Sequence, residues 1–442
     1  MRNARRDIEA SEGLDRAIGP FALGANAVNL AVGAGVFALP AAVAALLGPA
    51  AIIPYVLCGI TITCVLLCCA ELGSRTTRSG GVITYTEDAF GPLAGFLAWT
   101  VYAIGCCVLS DAAIAHVLMD SIALRVPAVR EGLPRIAAFA LLFGALAAVN
   151  VRGVRQGTAL SVISMVTKVT PLVLLIAFGL PAVRWPELHW TGWPSYSAVG
   201  QASLLVFFIF MSGEGALSAG GEIREPARTV PRAMAGAAAT LILIYTSLQV
   251  VSQGVLGPSL AQQGTTPLAA VADHVFGVAG RDLILACTAI AVFGSIAADM
   301  VNTPRAFFAV ANDGLLPAPL RAVHRRFRTP YVAIIVYAAL LFGFTISGAF
   351  RPLAVLATIS QLLIYLVVCF GVIRMRGRRE PAFRVPGGPV VPLVGAAAVI
   401  WFLSNSTASE ALAVAVTLGI AAIYYVIRTR QPQYVRRYGT HP

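Results

Sequence analysis

"NLAVGAGVFALP", residues 29–40, is an apolar segment interrupted at its centre. Gly33, Ala34 and Gly35 meet there, and Pro40 follows a turn later. Relative to Ala, a helix interior loses about 1 kcal/mol per Gly and about 3 kcal/mol per Pro. Taken alone, the small residues suit either close packing against another helix or a true break. A second stretch, "FFIFMSGEGALSAGGEI" at 207–223, tips the balance. There Ser212, Gly213 and Gly215 surround the acidic Glu214. Two interrupted spans, five apart, are what a pair of inverted five-helix repeats produces. Backbone unwound at that depth must line a cavity or be buried in protein. The exposed amides of the first break suit a carboxylate, and the freed carbonyls of both breaks suit an ammonium. Together they form a receptor for an α-amino acid zwitterion.

The surrounding sequence places these breaks in a membrane. Of the 442 residues, 58% are hydrophobic and 12% charged, against about 25% charged in soluble domains. Apolar runs of the length needed to cross about 30 Å of hydrocarbon recur near 19–47, 50–72, 92–119, 135–151, 158–181, 199–222, 233–257, 282–303, 330–348, 352–373, 389–404 and 409–427. The expected fold is therefore an all-α membrane protein of twelve spans. The runs are continuous rather than alternating, which argues against a β-barrel. The first run is too long for a signal-peptide core. With the N-terminus inside, the outer loops hold six Arg (Arg125, Arg130, Arg135, Arg184, Arg281, Arg351) of 32 basic residues, so both termini are expected in the cytoplasm. The net charge of +12 comes from Arg at span ends, where orientation and anionic headgroups account for it, so no nucleic-acid partner is implied. The eight Cys fall inside apolar spans and read as small core residues. No HExxH, Walker A or cofactor motif is present. Neither an enzyme nor a directly ATP-driven pump is expected, and no cofactor or metal.

Four ionisable residues sit in mid-span: Asp111 in "CCVLSDAAIAH", Lys168 in "SVISMVTKVTPLVLLIAFGL", Glu214, and Asp299 in "GSIAADMVNTP". An Asp at a helix centre costs roughly 2.5–3.5 kcal/mol on the insertion scale. Intramembrane charges usually face the bundle interior. Asp111 and Asp299 read either as an acidic pocket for a cationic side chain or amine, or as groups facing a water-filled vestibule or an Arg. Glu214 reads as a structural acid bonded to neighbouring backbone, or as a gating or proton-linked group. Lys168 is the chain's sole lysine and lies about 15 Å from either span end at 1.5 Å per residue, too deep for easy snorkelling. Unlike Arg, a lysine gives up its proton when burial demands it.

The chain resembles the amino acid–polyamine–organocation superfamily of secondary transporters. The resemblance is carried by "GAGVFALP" (33–40), "AELGSRTTRSGGVITYTEDAFGPLAGFLAW" (70–99), "GGEIREPARTVPRA" (220–233) and "PRAFFAVANDGLLP" (304–317), in order along nearly the whole chain. It implies a ten-helix core of two inverted repeats (19–181 and 199–373), helices 11 and 12 at 389–427, cytoplasmic tails at 1–18 and 428–442, and alternating access without ATP. It also implies that the amides near Gly33, Ala34 and Gly35 hold the substrate carboxylate, and that carbonyls near Ala31, Phe208 and Met211 hold its ammonium. Phe208 stands where related transporters pack an aromatic ring on the substrate. Gly213 departs from the bulky residue many relatives carry. "TKVTPL" (167–172) matches a position where proton-coupled relatives carry a lysine in place of sodium, which implies that Lys168 is either a fixed charge or a proton carrier.

The expected function is secondary active transport of an amino acid or amine across the bacterial inner membrane, proton-coupled or by exchange. A cationic substrate is preferred, with a neutral amino acid as the alternative. An ion channel is the rival from another class; it would need a continuous polar pore lining, whereas the polar positions here converge on one level.

Overall fold

The computed structural model describes residues 18–74, 81–153, 158–190, 192–376 and 383–431. The expected tail residues 1–17 and 432–442 lie outside them. Among the described residues the chain is helical and has no β-sheet; one isolated bridge pairs Ile18 with Ile223. Among the described residues, eight helices are long and apolar enough to cross a membrane, and three shorter apolar helices accompany them. Helices are what such a sequence must form, because hydrocarbon offers no partner for backbone N–H and C=O groups.

The first apolar run divides into α1 (Pro20–Ala31) and α2 (Leu39–Leu47). Gly48, at φ 54°, turns the chain into α3 (Ile52–Gly73); only a residue without a β-carbon takes that angle at little cost. The short α4 (Gly81–Phe90) leads to α5 (Pro92–Thr100), which continues through a π-helical stretch, Val101–Val108, into α6 (Leu109–Ala123). Then come α7 (Gly132–Arg152), α8 (Thr158–Gly179), α9 (Tyr196–Phe210) and α10 (Pro226–Leu256). Next, α11 (Pro267–Asn312) is broken by a kink at Gly277 (φ 72°), and the helix after the kink holds the expected span 282–303. The chain ends with α12 (Tyr331–Ser347), α13 (Phe350–Met375), α14 (Val390–Ser404) and α15 (Ala408–Thr429).

Packing sorts these helices into centre and rim. α10 lies along α1 and α3, α11 along α6 and α8, and α13 against α9 and the π-helical stretch. In that last contact a β-carbon on Gly105 would overlap Ser360. Tyr245, Tyr337, Tyr365, Phe207 and Phe210 fill the core. At the rim, α15 exposes Leu412, Val416, Ile420, Ile423 and Ile427 on one stripe, the face a lipid tail would cover.

Candidate functional site

Both interruptions are real breaks, and they touch. In the first, Val32 (φ −72°, ψ 79°) closes an inverse γ-turn in which the Gly33 N–H donates to the Ala31 carbonyl at 2.7 Å. The chain resumes as a single 3₁₀ turn, Ala34–Phe37. Its leading amides, at Ala34 and Gly35, have no helical carbonyl before them. The Ala31 carbonyl also accepts the Tyr245 hydroxyl at 3.1 Å, so both of its acceptor positions are filled.

In the second, α9 stops at Phe210, Met211 is extended, and Ser212 adopts a left-handed φ of 78° before the 3₁₀ stretch Gly213–Glu222. The last carbonyls of α9, Phe208 among them, have no partner further along the helix. A non-glycine residue in the left-handed region stores strain and needs support. Glu214 supplies it, since its carboxylate accepts the backbone N–H groups of Ser212 and of Glu214 itself.

A β-carbon on Gly35 would lie 2.7 Å from the edge of the Phe208 ring, so the two breaks meet where a side chain is forbidden. Phe208 also stands edge-on to Phe350 at the start of α13, with ring centroids 6.2 Å apart. It fills the gap between the first break and α13. Gly213 faces α1 instead: a β-carbon there would sit 3.5 Å from the Ala27 carbonyl oxygen and 3.8 Å from the Ala31 methyl group, ordinary contact distances.

The four ionisable residues form two groups. Glu214, 2% exposed, accepts the Gln361 amide at 2.8 Å and the Tyr365 hydroxyl at 2.5 Å, one on each oxygen. With the two backbone donors, its carboxylate is saturated. It fastens the second break to α13. Asp111 on α6, 1% exposed, accepts the Tyr337 hydroxyl at 2.9 Å, and its carboxyl group lies within interaction reach of that of Asp299 on α11. Lys168, 7% exposed, donates to Ser295 at 3.3 Å, one helical turn before Asp299, and acts on Asp299 electrostatically. The lysine's hydrogen bond thus runs to α11 and not to the first break. The two helices that carry the acid pair, α6 and α11, both pack on the 34–37 turn.

Several partners had no signal in the sequence. Tyr245, Tyr337, Gln361 and Tyr365 are ordinary core residues until the helices assemble. The same holds for Glu71, fully buried at the end of α3. It receives both Nε (2.9 Å) and Nη2 (2.6 Å) of Arg376 from the end of α13, and the Val385 N–H at 2.9 Å. Such a two-point Arg–carboxylate pair is among the stronger polar contacts, and here it ties two helix ends together. The eight cysteines are unpaired, and all but Cys64 are buried.

Comparison with known proteins agrees with this architecture. Residues 18–427 match the amino acid permease family profile. The chain is 26% identical to the methylthioribose transporter of Bacillus subtilis (strain 168) over 95% of each protein. It is 26% identical to the serine/threonine exchanger SteT of the same organism over 95% of this chain and 98% of that one. It is 24% identical to that organism's branched-chain amino acid permease BcaP over 95% and 94%. The chain therefore belongs to the amino acid permease family, within the amino acid–polyamine–organocation superfamily, and is a multi-pass membrane transporter and not an enzyme.

Proposed function

We propose that this protein is a secondary active transporter of neutral amino acids, working by alternating access and coupled to protons. The contact of Gly35 with the Phe208 ring carries the reading, because it brings the first break, with the leading amides of its 3₁₀ turn, against the end of α9, whose last carbonyls have no helical partner. The amides at Ala34 and Gly35 receive the substrate carboxylate. The carbonyls of Ala31, Phe208 and Met211 receive its ammonium. Each charge-assisted bond contributes about 1.5–3 kcal/mol. In this reading α1–α2 and α9 with its 3₁₀ extension are the first and sixth of twelve spans, the two five-helix repeats are inverted, and both termini face the cytoplasm.

A neutral side chain is favoured over the cationic one expected from the two acids. Asp111 and Asp299 are engaged with each other and with Tyr337, and Lys168 already supplies a cation beside them. Two relatives are named for serine and threonine and for branched-chain amino acids, which supports the same choice. Two carboxyl groups hydrogen-bond each other only when a proton lies between them. With one ammonium, one carboxylate and one carboxylic acid, the cluster is neutral. Loss of that proton leaves two like charges in contact, which drives α6 and α11 apart against the 34–37 turn. The shared proton is the coupling proton in this reading.

The test is exchange in proteoliposomes loaded with labelled L-serine or L-leucine, with neutral amino acids, arginine, putrescine and methylthioribose as competitors. Neutral amino acids are expected to compete best. Dominance of arginine or putrescine would restore the cationic reading, and dominance of methylthioribose would remove the amino acid altogether.

A further inference from the structure

α10 carries a polar line through a bundle packed with apolar side chains. Tyr245, Gln249 and Gln253 follow one another at intervals of four, so they share one face of the helix, and all three are buried. Tyr245 is accounted for by its bond to the Ala31 carbonyl. Gln249 is not. Its side chain is 1% exposed, and neither its amide nitrogen nor its oxygen has a hydrogen-bond partner. It borders a cavity of about 50 Å³ lined also by Pro49, Ile52, Leu188, Trp190 and Gln253. That space suits one or two water-sized groups and not an amino acid.

A buried carboxamide with both ends unpaired is costly, and a leucine would fill the same volume without that cost. Water in that cavity can answer one end of the carboxamide; a second state in which it meets a neighbouring side chain answers it from the protein itself. The group one turn away has a reason to change partners. Both acceptor positions of the Ala31 carbonyl are filled, by the Gly33 N–H and the Tyr245 hydroxyl. A substrate ammonium can use that carbonyl only if one of them leaves. The Gly33 bond is part of the backbone turn, so the hydroxyl is the one that yields.

We infer that Gln249 is the alternate partner of Tyr245: it accepts the Tyr245 hydroxyl when substrate ammonium takes the Ala31 carbonyl. This rests on the reading above, that the Ala31 carbonyl receives the ammonium. The Tyr245 ring is fully buried and held edge-on by Phe210, with centroids 5.0 Å apart, so the flexible Gln249 side chain makes the approach. No covalent bond changes; one hydrogen bond is exchanged for another. Gln249 is thus a positioning residue, acting on the substrate through Tyr245. The Tyr55 hydroxyl lies near Tyr245 and is also unpartnered; it is the competing acceptor.

The experiment uses the full chain, purified in detergent, with L-serine and L-leucine as probes. Thermal stability and equilibrium affinity are measured for Gln249→Leu, Tyr245→Phe, the double variant and Tyr55→Phe. Gln249→Leu is expected to raise the melting temperature, because an unpaired polar group is gone. It is also expected to weaken affinity about fivefold, the factor of one neutral hydrogen bond. These opposite signs separate a positioning role from a merely structural one. In the Tyr245→Phe background Gln249→Leu is expected to leave affinity unchanged, since the two act as one unit. Unchanged affinity in Gln249→Leu overturns the inference. So does a loss that persists in the Tyr245→Phe background, and so does a Tyr55→Phe variant that reproduces the affinity loss while Gln249→Leu does not. If the wild-type protein binds neither amino acid, the transport reading falls first and takes this inference with it.

Discussion

Glu214 and the Asp111–Asp299 pair are both carboxylates buried at the centre of one bundle, yet their surroundings differ. Glu214 meets four donors: Gln361, Tyr365 and two backbone amides. Its charge is fully answered by neutral groups that stay in place. Asp111 and Asp299 meet one hydroxyl, each other, and a lysine from α8 that is bonded to Ser295, one turn before Asp299. In the proposed reading their charge is answered only while a proton is present. The first arrangement holds a strained backbone, and the second is proposed to change its balance when a proton leaves. Burial alone therefore does not mark an acid as functional; the kind of partner does.

The largest expected effect breaks the first arrangement. Glu214→Ala leaves the Gln361 and Tyr365 donors and two amides without an acceptor. By the scale of a broken buried charge network, it should cost about 3–5 kcal/mol, read as a steep fall in melting temperature in detergent and a loss of exchange. If Glu214→Ala keeps wild-type stability, the clasp on the second break is not structural.

Next in size is a change that touches neither acid site. Gly35→Val puts a branched side chain where even a β-carbon would lie 2.7 Å from the Phe208 ring. Binding of serine or leucine should fall by about 100-fold or more, on the scale of 3 kcal/mol for overpacking, while the protein still inserts. Phe208→Ala in the same chain should recover part of the loss. Intact binding in Gly35→Val would move the substrate away from the breaks.

Asp299→Asn sharpens the contrast with Glu214. A neutral amide can still donate to Asp111, so stability should change by less than about 1.5 kcal/mol. A one-proton carrier under a gradient of one pH unit accumulates substrate about tenfold, and this accumulation should vanish in the variant. The smallest effect belongs to Tyr337→Phe, which removes a single donor from Asp111. It should weaken proton-driven accumulation by about fivefold at most, the factor of one neutral hydrogen bond, and leave exchange without a gradient unchanged. Unchanged accumulation would disconnect Tyr337 from the acid pair.

Much of this was legible in the sequence because it is local. Apolar runs of spanning length, clustered Gly at 33–35 and 213–215, and charges at mid-span are written in consecutive residues, and the breaks lie where those residues put them. What the sequence hides is contact between distant helices. Asp111 reads from sequence as a pocket acid or as one facing a vestibule or an Arg, and nothing in its own span points to Tyr337 and Asp299 as its neighbours. Nor does the sequence around Glu214 point to Gln361 and Tyr365 of α13. Lys168 is marked by its loneliness, but its position against Ser295 on α11 depends on how α8 packs. The π-helical stretch at 101–108 escaped for a similar reason: continuous apolar sequence does not reveal where a helix widens.

The most direct test counts protons and amino acid together in the same proteoliposomes, with a pH-sensitive dye inside and labelled L-serine or L-leucine outside. The account predicts that the wild-type protein brings in protons in proportion to amino acid, and that Asp299→Asn moves amino acid by exchange with no proton flux. Glu214→Gln should reduce both fluxes by the same factor. An Asp299→Asn protein that still carries protons in step with substrate would contradict the account, because the coupling proton would then reside somewhere other than between Asp111 and Asp299.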